Sequence, residues 1–367
     1  MSLELLQAVV GFSATLFFLW LLARLAPRLG LVDPPNQRKL HVGDVPLVGG
    51  IAIYLALVLG ALFWGDAGND SFSSHGRQLG VFLAAGGILV AVGVLDDIRP
   101  MSVFFRVFAE VAVALFIIEG LELRANNLGD LFGTGDVMLR GWVAYPFTVV
   151  CIFGIINAYN MLDGMDGVVG VMMLITLFGF HLFTGIAPGL VSIFVGSALL
   201  AFLVSNLGLW PLIPKTFLGD AGSKLMGLIV VSLVLTVADA SVAGFKYIEP
   251  VTALYLVGLP LFDMTFVTLR RVFRGRSPVA PDRTHVHHLM QALRLSDRRA
   301  LLIITTLGIA SPALGLALAR AGASVPYQFW IFLGLFIMYC VLMQQAWVVA
   351  DRLGNALQPA GASDHGS

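Results

Sequence analysis

The chain has 367 residues, of which 58% are hydrophobic and 12% are charged, and its mean hydropathy is +0.90. Soluble domains carry about 25% charged residues, so the composition excludes an ordinary soluble protein and predicts an all-α integral membrane protein. The net charge is zero, which gives no indication of nucleic acid binding. Cys151 and Cys340 lie inside apolar runs, and we interpret them as free thiols rather than a disulfide.

Eleven apolar segments are candidate transmembrane helices. They lie near residues 4–25, 47–64, 79–95, 103–119, 142–159, 167–184, 188–207, 221–240, 250–270, 300–319 and 327–349. The first segment has no positive charge before it and no small-residue cleavage pattern after it, which favours a retained helix over a signal peptide. We therefore expect one membrane domain over residues 1–352, followed by a short polar tail at 353–367.

The basic residues predict how the chain is oriented. If the N-terminus is outside and the chain crosses eleven times, the C-terminus is cytosolic and seventeen of the 22 lysines and arginines fall in cytosolic segments. This agrees with the tendency of basic residues to remain in the cytosol. The polar motifs described next then all fall on the cytosolic side, which predicts an active site built from cytosolic loops.

Two adjacent aspartates, Asp96 and Asp97, end the third apolar segment. Neighbouring carboxylates repel each other unless positive charge compensates them. Mg²⁺ bound by one or two carboxylates and by substrate phosphates would compensate them. The alternative is a solvated helix end.

A polar stretch, Asn157–Gly167, follows one apolar segment directly and leads into the next. Asn157, Asn160, Asp163 and Asp166 recur at intervals of three, so a helical path would align them on one face. Polar side chains at membrane depth are costly and usually functional. A helix-capping role is the alternative.

A third motif places Asp220 at the start of the eighth apolar segment. Helix capping is the simple interpretation, because the helix dipole favours a negative group there. The following Gly-Ser-Lys is not a P-loop, because the spacing G-x-x-x-x-G-K is absent.

The longest predicted cytosolic loop contains Arg283, His285, His287 and His288 among several other arginines. Three histidines in four residues are compatible with zinc. However, no cysteine is near, and the arginines would repel a metal and attract phosphates. We favour a clamp for a diphosphate or nucleotide, and we retain a zinc site and a loop that binds lipid headgroups as alternatives.

Two smaller features stay open. Arg38, Lys39 and His41 form a basic group in the first predicted cytosolic loop, which membrane anchoring explains as well as substrate binding does. Asp263 lies about two turns before the cytosolic end of its segment. An ion pair with Arg270, seven residues further on, is the structural interpretation, and a role in function is the alternative.

Several carboxylates and a histidine–arginine loop suit metal-assisted phosphoryl transfer, in which positioning and charge neutralisation provide the catalysis. A cytosolic site implies a soluble, phosphate-rich substrate, and so many apolar segments suggest a lipid as the second one. A transporter would instead place ionisable residues at mid-membrane within a repeat. A lipid-binding scaffold without catalysis would leave three carboxylate motifs unexplained.

At these residues the sequence resembles the polyprenyl-phosphate N-acetylhexosamine-1-phosphate transferases. The similar segments are Gly30–Asp33, Pro46–Gly50, Asp96–Asp97, Asn157–Gly167, Leu218–Ser223 and Ser277–His288. The resemblance extends over nearly the whole chain. The related phospho-muramoyl-pentapeptide transferases carry three consecutive histidines, whereas Val286 interrupts them here, which indicates the N-acetylhexosamine branch.

The resemblance implies Mg²⁺ as the cofactor, with Mn²⁺ as the alternative, and the metal ligands Asp220, Asp96 and Asp97. The residues assigned to catalysis are Asp96, Asp97, Asp163 and Asp166. Those assigned to substrate binding are Asn157, Asn160, Arg283, His285, His287, His288, Lys39 and Arg38.

The implied reaction moves N-acetylglucosamine 1-phosphate from UDP-GlcNAc to undecaprenyl phosphate and releases UMP. It would take place at the cytosolic face of the bacterial inner membrane and start a surface polysaccharide such as an O-antigen. Another UDP-N-acetylhexosamine as the donor, and a homodimer, stay open.

Overall fold

The computed structural model describes residues 2–35, 43–64, 75–239, 247–277 and 284–356. Arg38, Lys39 and Arg283 lie outside these ranges, as does most of the predicted tail. The structure therefore bears on the remaining assigned residues.

The described residues are mostly helical. The helices are α1 Leu3–Leu29, α2 Gly49–Trp64, α3 His75–Ile98, α4 Val103–Gly120, α5 Ala144–Leu162, α6 Val168–Thr184, α7 Leu190–Asn206, α8 Gly219–Val237, α9 Pro250–Leu254, α10 Gly258–Phe273, α11 Val286–Ala292, α12 Asp297–Arg320 and α13 Val325–Ala356. A 3₁₀ turn, Tyr255–Val257, joins α9 to α10, and another, Gly141–Val143, precedes α5. Each of the eleven predicted segments coincides with one helix, or with the continuous stretch formed by α9, the turn and α10.

Within the described ranges, seven helical stretches are long and apolar enough to cross a membrane: Leu3–Leu29, Gly76–Ile98, Gly141–Leu162, Gly219–Val237, Pro250–Phe273, Asp297–Arg320 and Val325–Arg352. The helices α2, α6 and α7 are apolar but shorter. This set of helices indicates a multi-pass membrane protein. The number of crossings and the side on which each end lies stay predictions.

Helix α8 lies at the centre of the helix assembly. In its most apolar part 83% of the residues are buried, against 11% for α13. Glycines allow its neighbours to approach closely: a Cβ on Gly93 of α3 would lie 2.3 Å from Ala221 Cα, and one on Gly50 of α2 would lie 2.2 Å from Gly222 N. Small residues commonly allow such backbone contact between helices in membranes. These contacts fix where the C-terminal end of α3 lies relative to the start of α8.

A short extended segment supports the start of α8. The strands β1 (Val32–Asp33) and β2 (Val45–Pro46) pair antiparallel. The chain after β2 continues this pairing alongside Phe217, which donates to Pro46 O at 2.8 Å and accepts from Gly49 N at 2.9 Å. Irregular backbone near a membrane needs such partners for its polar groups. The contact explains why Pro46–Gly50 and Leu218–Ser223, two of the segments that carry the family resemblance, lie side by side although they are far apart in sequence.

The contact between α3 and α8 gives a prediction about stability. Gly93→Ala places a methyl group against the α8 backbone, and overpacking of this kind costs about 1–3 kcal/mol. We expect a lower thermal unfolding midpoint for the purified protein in detergent.

Gly80→Ala is the matched control, because Gly80 lies on the same helix with open space around its Cα. Alanine gains up to about 1 kcal/mol over glycine from helix propensity, so this variant should unfold at or above the wild-type temperature. Equal midpoints for the two variants would contradict the packing argument.

Candidate active site

The end of α3 and the start of α8 bring two predicted metal ligands together. Asp97 Oδ1 accepts a hydrogen bond from the backbone N–H of Asp220 at 3.1 Å. Gly219 makes this approach possible: its φ is +73°, and a Cβ there would lie 2.6 Å from Asp97 Oδ2. Asp97 Oδ2 is itself buried and has no hydrogen-bond partner among the described residues. It is therefore an acceptor that remains available to a ligand.

Asp96 has a different environment from its neighbour. Its two oxygens accept from the backbone N–H of Met101 at 2.7 Å and from the Arg106 guanidinium at 3.1 Å, and its side chain is 6% exposed. The charges of Asp96 and Asp220 also act on each other. Asp96 thus fixes the turn between α3 and α4 beside the site, and its assigned catalytic and metal-binding roles stay predictions.

Asp220 accepts a hydrogen bond on one oxygen, has a cation near the other, and remains accessible. Asn160 Nδ2 donates to Asp220 Oδ1 at 3.1 Å and also contacts Ser223 Oγ at 2.9 Å. Lys224 Nζ lies 3.9 Å from Asp220 Oδ2. The Asp220 side chain is 33% exposed, so a ligand can reach it from solvent.

The loop between α5 and α6 adds two more carboxylates. Burial, together with the charges of Asp220, Asp97 and Asp166, raises the pKa of Asp163 well above its usual range. Asp163 is therefore near the other predicted site carboxylates. Asp166 forms an ion pair with Lys215, and both side chains are partly exposed.

The histidine motif packs against this same loop. A Cβ on Gly164 would lie 2.0 Å from His287 Nε2, so the imidazole rests directly on the glycine backbone. The geometry therefore joins two motifs that are about 120 residues apart in the sequence.

Asp263 anchors the histidine motif, which corrects the interpretation that it pairs with Arg270. Asp263 Oδ2 binds His285 Nδ1 at 2.8 Å, and Oδ1 accepts from the backbone N–H of Val286 at 2.9 Å and from the Tyr339 hydroxyl at 2.7 Å. The physical reason is that α11 starts beside α10, so its first N–H and His285 reach the carboxylate. His285 is 4% exposed and held in place by this contact.

His287 is buried and uncharged. Its side chain is 2% exposed, and its Nδ1 has no hydrogen-bond partner among the described residues. Burial and the neighbouring His288 lower the pKa of His287 to about 3. It can therefore offer a neutral hydrogen bond to a ligand rather than a positive charge. Whether His285, His287 and His288 bind a nucleotide diphosphate stays a prediction.

Two charged residues that the sequence interpretation did not assign lie beside the carboxylates. Glu110 and Lys224 form an ion pair at 3.4 Å with side chains 3% and 2% exposed. Asn157 donates to Glu110 Oε2 at 2.6 Å, so its amide holds Glu110 here, and its assigned contact with substrate stays a prediction. The available signal was that each of these charged residues interrupts an apolar segment.

The oxygen donors fit a hard divalent cation. Among the described residues there is no group of three or more histidine, cysteine or acidic side chains arranged to hold a metal. Mg²⁺ does not require one, because one or two carboxylates suffice when water and substrate phosphates complete its shell. The partnerless oxygen of Asp97 and the accessible carboxylate of Asp220 meet that requirement.

These features describe a multi-pass membrane protein whose ionisable side chains converge on one site. The model of glycosyl transferase family 4 matches residues 79–238, a range that includes Asp97, Asp163 and Asp220. Three relatives extend the similarity over nearly the whole chain.

The undecaprenyl-phosphate alpha-N-acetylglucosaminyl 1-phosphate transferase of Escherichia coli K12 is 34% identical over 357 residues, which cover 92% of this chain and 90% of that protein. The protein of the same name from Yersinia pestis is 33% identical over 382 residues, covering 100% of this chain and 99% of its own. A probable undecaprenyl-phosphate N-acetylglucosaminyl 1-phosphate transferase from Bacillus subtilis is 30% identical over 351 residues, covering 93% and 90%.

The chain belongs to glycosyl transferase family 4. This confirms the resemblance found in the motifs and the prediction that the protein is an enzyme, a transferase.

The anchoring of α11 gives a testable prediction. Asp263→Ala leaves three buried donors without an acceptor, and each such group costs about 1–3 kcal/mol. We expect the amides of residues 286–292 to exchange hydrogen for deuterium faster than in the wild type, as measured by mass spectrometry.

Tyr339→Phe removes only one of the three donors and is the control, so it should change this exchange much less. Unchanged exchange in Asp263→Ala would show that α11 does not depend on this carboxylate.

Proposed function

We propose that the protein transfers N-acetylglucosamine 1-phosphate from UDP-GlcNAc to undecaprenyl phosphate and releases UMP. The observation that carries the proposal is the convergence of Asp97, Asp163 and Asp220 on one accessible site, with an unpartnered carboxylate oxygen. Relatives aligned over nearly the full chain bear names for this reaction. The proposal places the site at the cytosolic face of the bacterial inner membrane, where the product would start a surface polysaccharide such as an O-antigen.

The acceptor can attack without a strong general base. A phosphate monoester has a second pKa near 6, so the lipid phosphate is largely a dianion at neutral pH. The attacking oxygen forms a bond to the sugar-linked phosphorus while the bond to the UMP oxygen breaks. We therefore propose a single displacement with no covalent enzyme intermediate, in which Asp97 orients the lipid phosphate or accepts a residual proton.

The main task of the site is to bring two anionic substrates together. Mg²⁺, which Asp220 and Asp97 would hold, supplies positive charge to the diphosphate when bound. Lys215 presents a partly exposed ammonium at the rim through its pair with Asp166. His287 packs against Gly164 through Nε2 and offers its Nδ1, which has no hydrogen-bond partner among the described residues. Together these residues orient the attacking and leaving groups, which is where positioning contributes most.

The displacement step predicts that UMP release requires the lipid. Purified enzyme with Mg²⁺ and sugar-labelled UDP-GlcNAc should release no stoichiometric UMP until undecaprenyl phosphate is added. A panel of UDP-N-acetylhexosamines in the same assay identifies the donor, and another preferred sugar would replace UDP-GlcNAc in the proposal.

Asp220→Ala is expected to abolish release under all of these conditions. A burst of UMP without lipid, with label retained on an aspartate, would overturn the single displacement. Near-normal turnover by Asp220→Ala would remove that residue from the site.

The histidine motif gives a separate prediction. His287→Ala removes the proposed buried hydrogen bond to the diphosphate of UDP-GlcNAc. Hydrogen bonds to charged groups are worth about 1.5–3 kcal/mol. We expect kcat/KM for UDP-GlcNAc to fall roughly 10- to 100-fold when it is measured well below the thermal unfolding midpoint of the variant, which the loss of a buried side chain lowers.

His181→Ala is the matched control. His181 lies in the last turn of α6, and the loop that His287 contacts precedes the first turn, so the two are about 20 Å apart. Equal effects of the two variants, or stoichiometric zinc in the active enzyme, would contradict this role for His287.

A further inference from the structure

Lys224 is a buried cation whose position is unusual. Its side chain is 2% exposed, and its ammonium makes no hydrogen bond with any of the described residues. The nearest carboxylate oxygens are Glu110 Oε1 at 3.4 Å and Asp220 Oδ2 at 3.9 Å. An ammonium carries three donors, and leaving a buried charge without hydrogen bonds is costly. Lys224 is thus shared between two carboxylates and fully bound by neither.

Glu110 is fixed and cannot follow the ammonium. Asn157 Nδ2 donates to Glu110 Oε2 at 2.6 Å and to Phe153 O at 2.9 Å, which ties Glu110 to the backbone of α5. Glu110 is 3% exposed among packed helices. Any movement of Lys224 towards Asp220 therefore lengthens its contact with Glu110.

Asp220 is the carboxylate for which a divalent cation and Lys224 would compete. Unit charges about 4 Å apart attract each other more strongly at a partly buried site than in bulk water. Without a bound cation, Lys224 offsets the repulsion among Asp220, Asp96 and their neighbours, and its charge acts on both of these carboxylates. When a divalent cation binds to Asp220, the Lys224 ammonium must move away from that carboxylate. Glu110 is the anion towards which it moves.

We propose that Lys224 is an internal counter-cation of Asp220 and that Glu110 holds it back, so that the pair sets the affinity of the site for its divalent cation. The inference rests on the proposed function in one respect, the use of Asp220 as a ligand. Lys224 and Glu110 are positioning residues that act through Asp220 without touching substrate.

The test measures Mn²⁺ binding to purified enzyme by electron paramagnetic resonance, with no nucleotide or lipid present. In Glu110→Gln the ammonium loses its anchor and moves onto Asp220, so Mn²⁺ should bind about tenfold more weakly, equivalent to about 1.4 kcal/mol. In the double variant Glu110→Gln/Lys224→Met no ammonium competes, so binding should return to the wild-type affinity or exceed it.

The second substitution thus reverses the effect of the first. A pair that only cross-links helices would show such a reversal in the thermal unfolding midpoint, because removing one partner of a buried ion pair is destabilising whereas replacing both is often neutral. The Mn²⁺ titrations are therefore made well below the unfolding midpoint of each variant, where a purely structural pair leaves the Mn²⁺ affinity unchanged. Neutral residues of similar shape replace both charges, and exchanging a buried ion pair for such residues is often neutral or stabilising, so the double variant is expected to fold. Glu122→Gln is the control, because it breaks the exposed pair with Arg77 at the opposite end of α3.

Wild-type Mn²⁺ affinity in Glu110→Gln, affinity in the double variant as weak as in Glu110→Gln, or no Mn²⁺ binding by the wild type would each overturn the inference. UMP release by the wild type is measured in parallel. If the Mn²⁺ affinities follow the expected order but no UMP is released, only the proposed function is contradicted. If UMP is released but the affinities do not follow that order, only the inference about Lys224 and Glu110 is contradicted.

Discussion

The close contact between α3 and α8 is the constraint on which the rest of the site depends. Gly93 lets the two backbones meet, and Gly219 then lets Asp97 reach the Asp220 N–H at 3.1 Å. The Asp97 carboxylate thus lies beside the residue that carries the next carboxylate, and nearby cations are needed to offset the repulsion between the two side chains. The packing of small residues inside the helix assembly therefore determines the electrostatics at its edge.

The contacts of the buried charges Glu110 and Lys224 favour an enzyme over a transporter. Glu110 and Lys224 lie well inside helices, where a transport pathway would also place ionisable residues. However, they contact Asn157 and Asp220, and through them the carboxylates at the helix ends. Within the described part of the chain they thus extend one site inwards rather than mark a second site across the membrane.

Hydropathy was sufficient to locate the eleven helical segments, because burial in lipid or among helices requires long apolar runs whatever the packing. The motifs also singled out Asp97, Asp163 and Asp220, because their types and clustering are informative locally, and their roles stay predictions. Sequence could not show that Asp263 binds His285 or that Glu110 pairs with Lys224, since each contact depends on which helices are neighbours. A charged residue in an apolar run indicates that a partner exists, but the partner of Glu110 is more than 100 residues away.

The neutral state of His287 changes what the histidine motif can contribute. A buried imidazole that resists protonation donates or accepts one hydrogen bond and adds no charge to the diphosphate site. In the proposed reaction, the positive charge needed to bring two anionic substrates together must then come from elsewhere, namely the proposed divalent cation and side chains such as Lys215. Lys224 cannot supply it directly, because Glu110 and Asp220 enclose its ammonium. Its charge acts on the carboxylates instead, so under the proposed function one set of cations contacts the substrate while Lys224 reduces the repulsion among the site carboxylates.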